Sequence, residues 1–165
     1  MIFRKSDGRP SWPSALIKVY IDIDGVLLRT GKNGPELIPQ FRRVIRYLFA
    51  NFDCYWLTTH VRHGSGSAGA VAKLAPHLRK ARIDPTILDG IEPAEWETLK
   101  TEAIDFSRPF IWLDDDPLPT ERQILEESGC ADSLVDINWR RRATRLTVRR
   151  IKRIRRSILR GLENS

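Results

Sequence analysis

The stretch VYIDIDGVLL (residues 19–28) places two carboxylates, Asp22 and Asp24, one residue apart in an apolar run and directly before Gly25. The residues before the acids are mostly β-branched or aromatic, as in a strand buried on both faces. A carboxylate removed from water is costly unless it is paired, hydrogen-bonded or bound to a metal. The pattern therefore predicts a buried strand whose charged end has a compensating partner.

Apolar runs alternate with helical patterns along most of the chain. The sequence predicts strands at residues 16–23, 53–59, 85–88, 110–113 and 133–137, and helices at residues 35–51, 68–81, 94–106 and 119–128. This alternation favours one α/β domain over residues 16–139, a three-layer Rossmann-like parallel sheet of about five strands with helices on both faces. The connections between these elements have room only for a flap-like loop and single helices.

The composition is that of a soluble globular protein. Of the 165 residues, 41% are hydrophobic and 30% are charged. No apolar run approaches the roughly 20 residues that cross a bilayer. Residues 1–15 lack the apolar core of a secretory signal, so we interpret them as a loosely tethered leader and expect a cytoplasmic protein. Cys54 and Cys130 show no metal-ligand spacing and are expected to be reduced packing residues.

Acidic or hydroxyl side chains lie at the ends of three predicted strands, and one lysine lies in the predicted helix after the strand at residues 85–88. They are, in chain order, Asp22, Asp24, Thr58, Thr59, Lys100, Asp114 and Asp115. Because the carboxyl ends of parallel strands meet at one edge of a sheet, we expect these side chains to converge. Four acids, two hydroxyls and a lysine suit a hard divalent cation, most naturally Mg²⁺, together with an anionic substrate.

The order of these motifs resembles a known family. DIDGVL, a Thr after an apolar strand, a downstream Lys and a strand ending in paired acids resemble the four motifs of the haloacid dehalogenase-like (HAD) superfamily of phosphohydrolases. The resemblance covers residues 18–137. More narrowly, WLTTH, LKTEAI and FIWLDDD are similar to small capless members, some of which occur beside RNA-repair enzymes.

The resemblance implies catalytic roles for four residues. Asp22 would be the nucleophile that forms an aspartyl-phosphate, and Asp24 would be the general acid and then the general base. Thr58 would hydrogen-bond a phosphoryl oxygen. Lys100 would neutralise both the nucleophile and the phosphoryl group.

The resemblance also implies a Mg²⁺ site. Asp115, with Asp114 in support, would complete the metal shell together with Asp22 and the backbone carbonyl of Asp24. Which of Asp114 and Asp115 contacts the metal directly stays open, with Asp115 preferred. Further candidates for substrate contact are Gly25, whose freedom permits the turn after the strand, and Thr59 and His60.

The basic charge of the chain lies in its tail. Residues 138–165 hold 11 Lys and Arg and one Glu, whereas residues 1–137 hold 17 Lys and Arg and 20 Asp and Glu. Apolar residues recur there at helical spacing, which predicts a basic helix within residues 140–165, docked on the same domain by its apolar stripe. The arginines between Arg140 and Arg160 could also bind nucleic-acid phosphates, a partner protein or an anionic membrane surface.

These features together predict a Mg²⁺-dependent phosphohydrolase that acts on a macromolecular phosphate, such as a nucleic-acid end or a phosphoprotein. A capless site favours a large substrate because it cannot fully enclose a small one. Two alternatives stay open. The first is a nucleic-acid- or protein-binding module that acts through the basic helix and whose HAD site turns over poorly. The second is a small-molecule phosphatase whose site is closed by an oligomer partner.

Overall fold

The computed structural model describes residues 17–163, together with two short backbone segments near the N-terminus. These segments, β1 (Phe3–Arg4) and β2 (Pro10–Ser11), pair in antiparallel fashion. The rest of the predicted leader, residues 1–15, lies outside the described residues. Within the described part of the chain, every helix is too short or too polar to cross a bilayer.

The described residues form seven further strands and four α-helices. They are β3 (Lys18–Ile21), β4 (Leu28–Gly31), β5 (Gly34–Leu37), α1 (Phe41–Asn51), β6 (Asp53–Trp56), α2 (Gly66–Lys80), β7 (Glu92–Pro93), β8 (Phe110–Asp114), α3 (Pro119–Glu127), β9 (Leu134–Asp136) and α4 (Val148–Glu163). Five strands form one parallel sheet in the order β7-β6-β3-β8-β9. The predicted α/β architecture is confirmed, with β3 at the centre.

Alternate side chains of β3 pack against two different layers. Val19 and Ile21 belong to a buried cluster that includes residues of α1, α2 and α4. Tyr20 belongs to a second cluster that includes Leu125 of α3 and Ile104. Because successive side chains of a strand point to opposite faces, these two clusters are the two faces of the sheet. The predicted three layers are therefore confirmed.

The helix predicted over residues 35–51 begins later than expected. Its first residues instead form β5, which pairs with β4 in a hairpin closed by an ion pair between Arg29 and Glu36. Helix α1 starts only after Gln40, which has a left-handed backbone with φ of 59°. This hairpin is the only insertion between β3 and α1, and no cap domain is evident among the described residues.

The prediction was wrong in the region between α2 and β8. Residues 85–88 form a 3₁₀ turn rather than a strand, because the Asp84 side chain caps the Thr86 N–H (2.9 Å) and Pro85 fits the first turn. The third strand of the sheet is instead the short β7. The predicted helix over residues 94–106 is largely irregular. Its backbone N–H groups at 97–99 are satisfied by the Glu102 carboxylate, and only Lys100–Ala103 forms a 3₁₀ turn.

The other predicted elements are confirmed with small shifts at their ends. The predicted basic helix is α4. Leu146, Val148 and Ile151 are buried in the same cluster as β3, α1 and α2. The start of the apolar stripe is therefore buried in the domain, and Ile154, Ile158 and Leu159 are partly buried against the same cluster. Most arginines of the tail face solvent.

Candidate active site

The chain leaves the central strand through a tight turn at Gly25. The Ile23 carbonyl accepts hydrogen bonds from the backbone N–H groups of residues 26–28 (3.2, 2.9 and 2.9 Å). Gly25 has φ of +72°, and a Cβ added to it would lie 1.9 Å from Asp115 Oδ2. Glycine is therefore needed here both for the left-handed backbone and for the close approach of the Asp115 carboxylate.

Three carboxylates meet at the ends of β3 and β8. These strands are neighbours, and the Asp22 N–H donates to the Leu113 carbonyl (3.1 Å). One ligand oxygen from each of Asp22, Asp114 and Asp115 lies within 4.8 Å of the others. Asp22 is 9% exposed and Asp114 is 1% exposed, whereas Asp115 is exposed to solvent. We call this group the acidic cluster, and it could hold a metal ion.

Lys100 joins the two buried acids of the cluster. Its Nζ lies 2.6 Å from Asp22 Oδ2 and 2.6 Å from Asp114 Oδ2. Burial alone would lower the pKa of Lys100, but the two carboxylates outweigh this effect and raise the pKa. Lys100 is therefore held as a cation between the acids.

The 3₁₀ turn that carries Lys100 is fixed by Glu121 of α3. Glu121 is buried, and its Oε1 accepts the Lys100 backbone N–H (2.6 Å) while its Oε2 accepts the Leu118 N–H (2.8 Å). Sequence reasoning missed this residue. The only signal was a Glu in the first turn of a helix that begins with proline, which indicates a cap and not a site.

The charges of the acidic cluster do not balance. Burial raises the pKa of Asp22. Burial, followed by the charges of Asp114 and Asp22, raises the pKa of Asp115 to about 6. Three carboxylates share one ammonium group, so a bound cation would relieve their repulsion. Carboxylate oxygens in this number fit a hard divalent ion, and the residues therefore fit the metal that the sequence suggested.

Asp24 has a separate set of contacts. Its Oδ2 lies 2.7 Å from His60 Nε2, and its Oδ1 lies 3.0 Å from Lys73 Nζ of α2. Burial alone would raise the pKa of Asp24, but the hydrogen bonds from His60 and Lys73 outweigh it and lower the pKa. Sequence reasoning missed Lys73, although it is the only Lys or Arg between residues 63 and 78. The metal contact expected from the Asp24 backbone carbonyl stays a prediction.

The two threonines after β6 have different surroundings. Thr58 is fully buried, and its Oγ1 has no hydrogen-bond partner among the described residues. Thr59 is exposed and begins the 3₁₀ turn Thr59–Val61, which also carries His60. Thr58, Thr59 and His60 thus follow β6 beside the end of β3, where the Leu57 N–H donates to the Ile21 carbonyl (2.9 Å).

Trp139 ties the segment after β9 to the turn at Gly25. Its indole Nε1 donates to the Gly25 carbonyl (2.9 Å). Nothing in the local sequence signalled this contact, because it joins residues 114 positions apart.

Comparisons of the chain with protein-family models, with curated proteins and with solved structures found no match. The fold and the site define an α/β protein with a candidate metal site at the carboxyl edge of a parallel sheet.

Proposed function

We propose that the protein is a Mg²⁺-dependent phosphohydrolase of the HAD type that acts through a phosphorylated Asp22. The observation that carries this proposal is the acidic cluster with its lysine. Asp22 and Asp114 end adjacent parallel strands and share Lys100 Nζ at 2.6 Å each, with Asp115 beside them. A buried carboxylate paired with lysine and flanked by oxygen ligands suits attack on an anionic phosphoryl group.

Asp22 is held in one orientation for such an attack. Its Oδ1 accepts the Ile23 N–H (2.7 Å), and its Oδ2 accepts from Lys100. In the first step, an Asp22 oxygen forms a bond to phosphorus while the bond from phosphorus to the leaving oxygen breaks. Asp24 gives that oxygen a proton, so this step needs the protonated form of Asp24, against the lowering of its pKa by His60 and Lys73. In the second step, Asp24 takes a proton from water as the water oxygen attacks phosphorus. The bond from Asp22 to phosphorus then breaks and inorganic phosphate leaves.

The acidic cluster would hold Mg²⁺ chiefly through Asp22 and Asp115. Asp114 already accepts hydrogen bonds from Lys100, from Trp112 Nε1 (3.1 Å) and from the Asp116 N–H (3.0 Å), so it is better suited to support than to direct contact. When bound, Mg²⁺ would neutralise charge on the phosphoryl oxygens.

The residues around the cluster would orient the substrate. The buried Thr58 Oγ1 lacks a partner, and a phosphoryl oxygen would supply one. His60 and Lys73 fix the carboxylate of Asp24, which would set the direction of proton transfer. Among the described residues between β3 and α1, the β4–β5 hairpin is the only inserted element. A site without a cap domain would admit the end of a macromolecule.

The first test measures phosphate release from a generic aryl phosphate, with Mg²⁺ and with a chelator. We expect metal-dependent release that Asp22→Asn reduces by at least about a thousandfold, as for loss of a nucleophile. Asp116→Asn is the matched control, because it removes a neighbouring charge outside the acidic cluster. No release above the Asp22→Asn background, in protein shown to be folded, would contradict the proposal and favour the binding module.

A further inference from the structure

A groove of about 760 Å³ lies between the start of α1 and the segment that follows β9. Its walls come from residues 39–44 and 139–156. Eight of its lining residues are Arg or Lys, and none of the described lining residues is Asp or Glu. We call this surface the basic groove.

Two of its arginines hold the groove wall in shape. Arg145 Nε donates to the Trp139 carbonyl (2.9 Å), and Arg150 Nη2 donates to the Asp136 carbonyl (2.9 Å). Arg150 also donates to the Thr144 carbonyl. These bonds use the backbone as acceptor, so they order the wall without neutralising its charge.

Six other cations of the groove face solvent. They are Arg43, Arg142, Arg149, Lys152, Arg153 and Arg156. None of them forms an ion pair with a carboxylate of the described residues, whose pairs all lie elsewhere. Like charges gathered in a concave surface repel one another and raise the local concentration of anions. The groove therefore suits a partner with several negative charges.

Trp139 connects the basic groove to the turn that follows Asp22. Trp139 lines the groove and also donates to the carbonyl of Gly25, whose Cα packs against Asp115. The segment that forms the wall leaves β9 at the same edge of the sheet at which β3 and β8 end. A polyanion in the groove would thus lie next to the proposed catalytic residues.

We propose that the basic groove binds the phosphate backbone of a single nucleic-acid strand and directs the terminal phosphate of that strand to Asp22. Binding in the groove stands on the charge and shape of the surface. The direction of the terminal phosphate to Asp22 rests on the proposed function.

A nucleic-acid strand fits the groove better than the other anionic partners. The repeated phosphates of a strand match the repeated cations of the groove. A peptide with one phosphate would leave most of these cations without a partner. A membrane surface would need the apolar face of α4, but Val148 and Ile151 are buried in the core.

The test measures binding of short single-stranded RNA and DNA by fluorescence anisotropy, using Asp22→Asn protein so that no turnover occurs. Strands with a phosphate at either end are compared. With about four phosphate contacts, log K should fall with log salt with a slope of about −3. The double variant Arg149→Glu/Arg153→Glu should halve this slope. With equal affinity of the variant and the parent protein at about 1 M salt, the variant should bind roughly 60-fold more weakly at about 50 mM salt.

The matched control is Arg79→Glu/Lys80→Glu, which makes the same charge change on exposed residues of α2 outside the groove. It should leave affinity nearly unchanged. Circular dichroism and Tm establish that each variant is folded. Equal loss in both variants, or a salt slope near zero, would overturn the proposal. Tighter groove-dependent binding of phosphatidylserine vesicles or of a singly phosphorylated peptide would also overturn it.

A second measurement separates this inference from the proposed function. Arg149→Glu/Arg153→Glu in otherwise unchanged protein should hydrolyse the aryl phosphate at the normal rate but lose its kcat/KM for end-phosphorylated strands. Groove-dependent binding without any aryl phosphatase activity would refute the proposed function and the direction of the terminal phosphate to Asp22. It would support only the binding of the strand in the groove. Full aryl phosphatase activity without strand binding would refute the groove proposal alone.

Discussion

The substitution Gly25→Ala separates backbone strain from damage to the acidic cluster. The added Cβ would lie 1.9 Å from Asp115 Oδ2 and 2.0 Å from Asp115 Cγ, and no atoms can remain at these distances. Because Asp115 is exposed and its side chain is short, its carboxylate can rotate into solvent, away from Asp22 and Asp114. The substitution should therefore move one ligand of the cluster while the fold is kept.

The cost in stability comes from the backbone. A residue with a Cβ at φ of +72° loses about 1–2 kcal/mol. The smaller entropy of the unfolded alanine chain offsets roughly half of this. The net loss of about 1 kcal/mol should lower Tm by about 2–4 °C in a domain of this size.

Gly129→Ala is the matched control. Gly129 has φ of +67°, and nothing lies within 4 Å of an added Cβ. It should therefore show the same loss of Tm without any effect on the acidic cluster. If the proposed function holds, we expect Gly25→Ala, and not Gly129→Ala, to weaken the proposed Mg²⁺ binding by at least about tenfold and to lower the proposed phosphatase activity with it.

Calorimetric titration with Mg²⁺ and thermal unfolding measure the two effects independently. Equal Mg²⁺ affinity in Gly25→Ala, Gly129→Ala and the unaltered protein would refute the packing of Asp115 on Gly25 as the basis of the metal site. A loss of Tm far larger in Gly25→Ala than in the control would show that Asp115 cannot move aside.

Three further perturbations test other parts of the structure. Lys100→Met should destabilise the fold by about 3 kcal/mol, because two buried carboxylates lose their shared cation. Added Mg²⁺ should restore part of the lost Tm. An unchanged Tm would contradict the buried ion pairs. Burial, with a hydrogen bond to Asp53, raises the pKa of Tyr55 to about 12. The neutral Tyr55 side chain should therefore stabilise the fold fully below about pH 10, and this stabilisation should be lost as the pH rises towards 12. Tyrosinate absorbance measures the ionisation of Tyr55. Ionisation near pH 10 while the circular dichroism stays native would refute the raised pKa. Ile151→Ala should cost about 2–4 kcal/mol in denaturant unfolding, because its side chain is buried where α4 docks; a loss below about 0.5 kcal/mol would show that α4 is not packed.

The strands at the centre of the sheet were predictable because their sequence patterns depend on burial alone. β3 and β8 are short apolar runs, and each is followed by acids that can only be tolerated at the open edge of the sheet. The convergence of Asp22 and Asp114 follows from the parallel order of the strands. Lys100 lies in the region whose strand and helix were predicted wrongly, and its position depends on the 3₁₀ turn that Glu121 fixes.

The elements that were predicted wrongly depend on single side chains. Residues 85–88 have the composition of a strand, but the Asp84 carboxylate stabilises a turn. Residues 94–106 have helical spacing, but the Glu102 carboxylate takes the N–H groups that a helix would leave open at its start. Such local capping competes with the periodic pattern, and the pattern alone cannot show which one is more stable.

The supporting contacts of the site could not be predicted because they join segments that are distant in sequence. Glu121 reaches the Lys100 backbone from α3, Lys73 reaches Asp24 from α2, and Trp139 reaches Gly25 from beyond β9. Each residue type has many possible partners, so only the packing of the elements selects one.

In the proposed function, the arrangement of charge would divide two tasks between two parts of the same edge. The acidic cluster is mostly buried and holds few groups, so it suits chemistry at one phosphorus atom but repels an anion that arrives without a cation. The basic groove is open and holds many cations, so it attracts phosphates but has no nucleophile. Because Trp139 connects the groove wall to the Gly25 turn, the attractive surface lies next to the repulsive one. A phosphorylated strand would thus gain its affinity in the groove and use it to bring one phosphate against Asp22, where the cluster alone could not hold it.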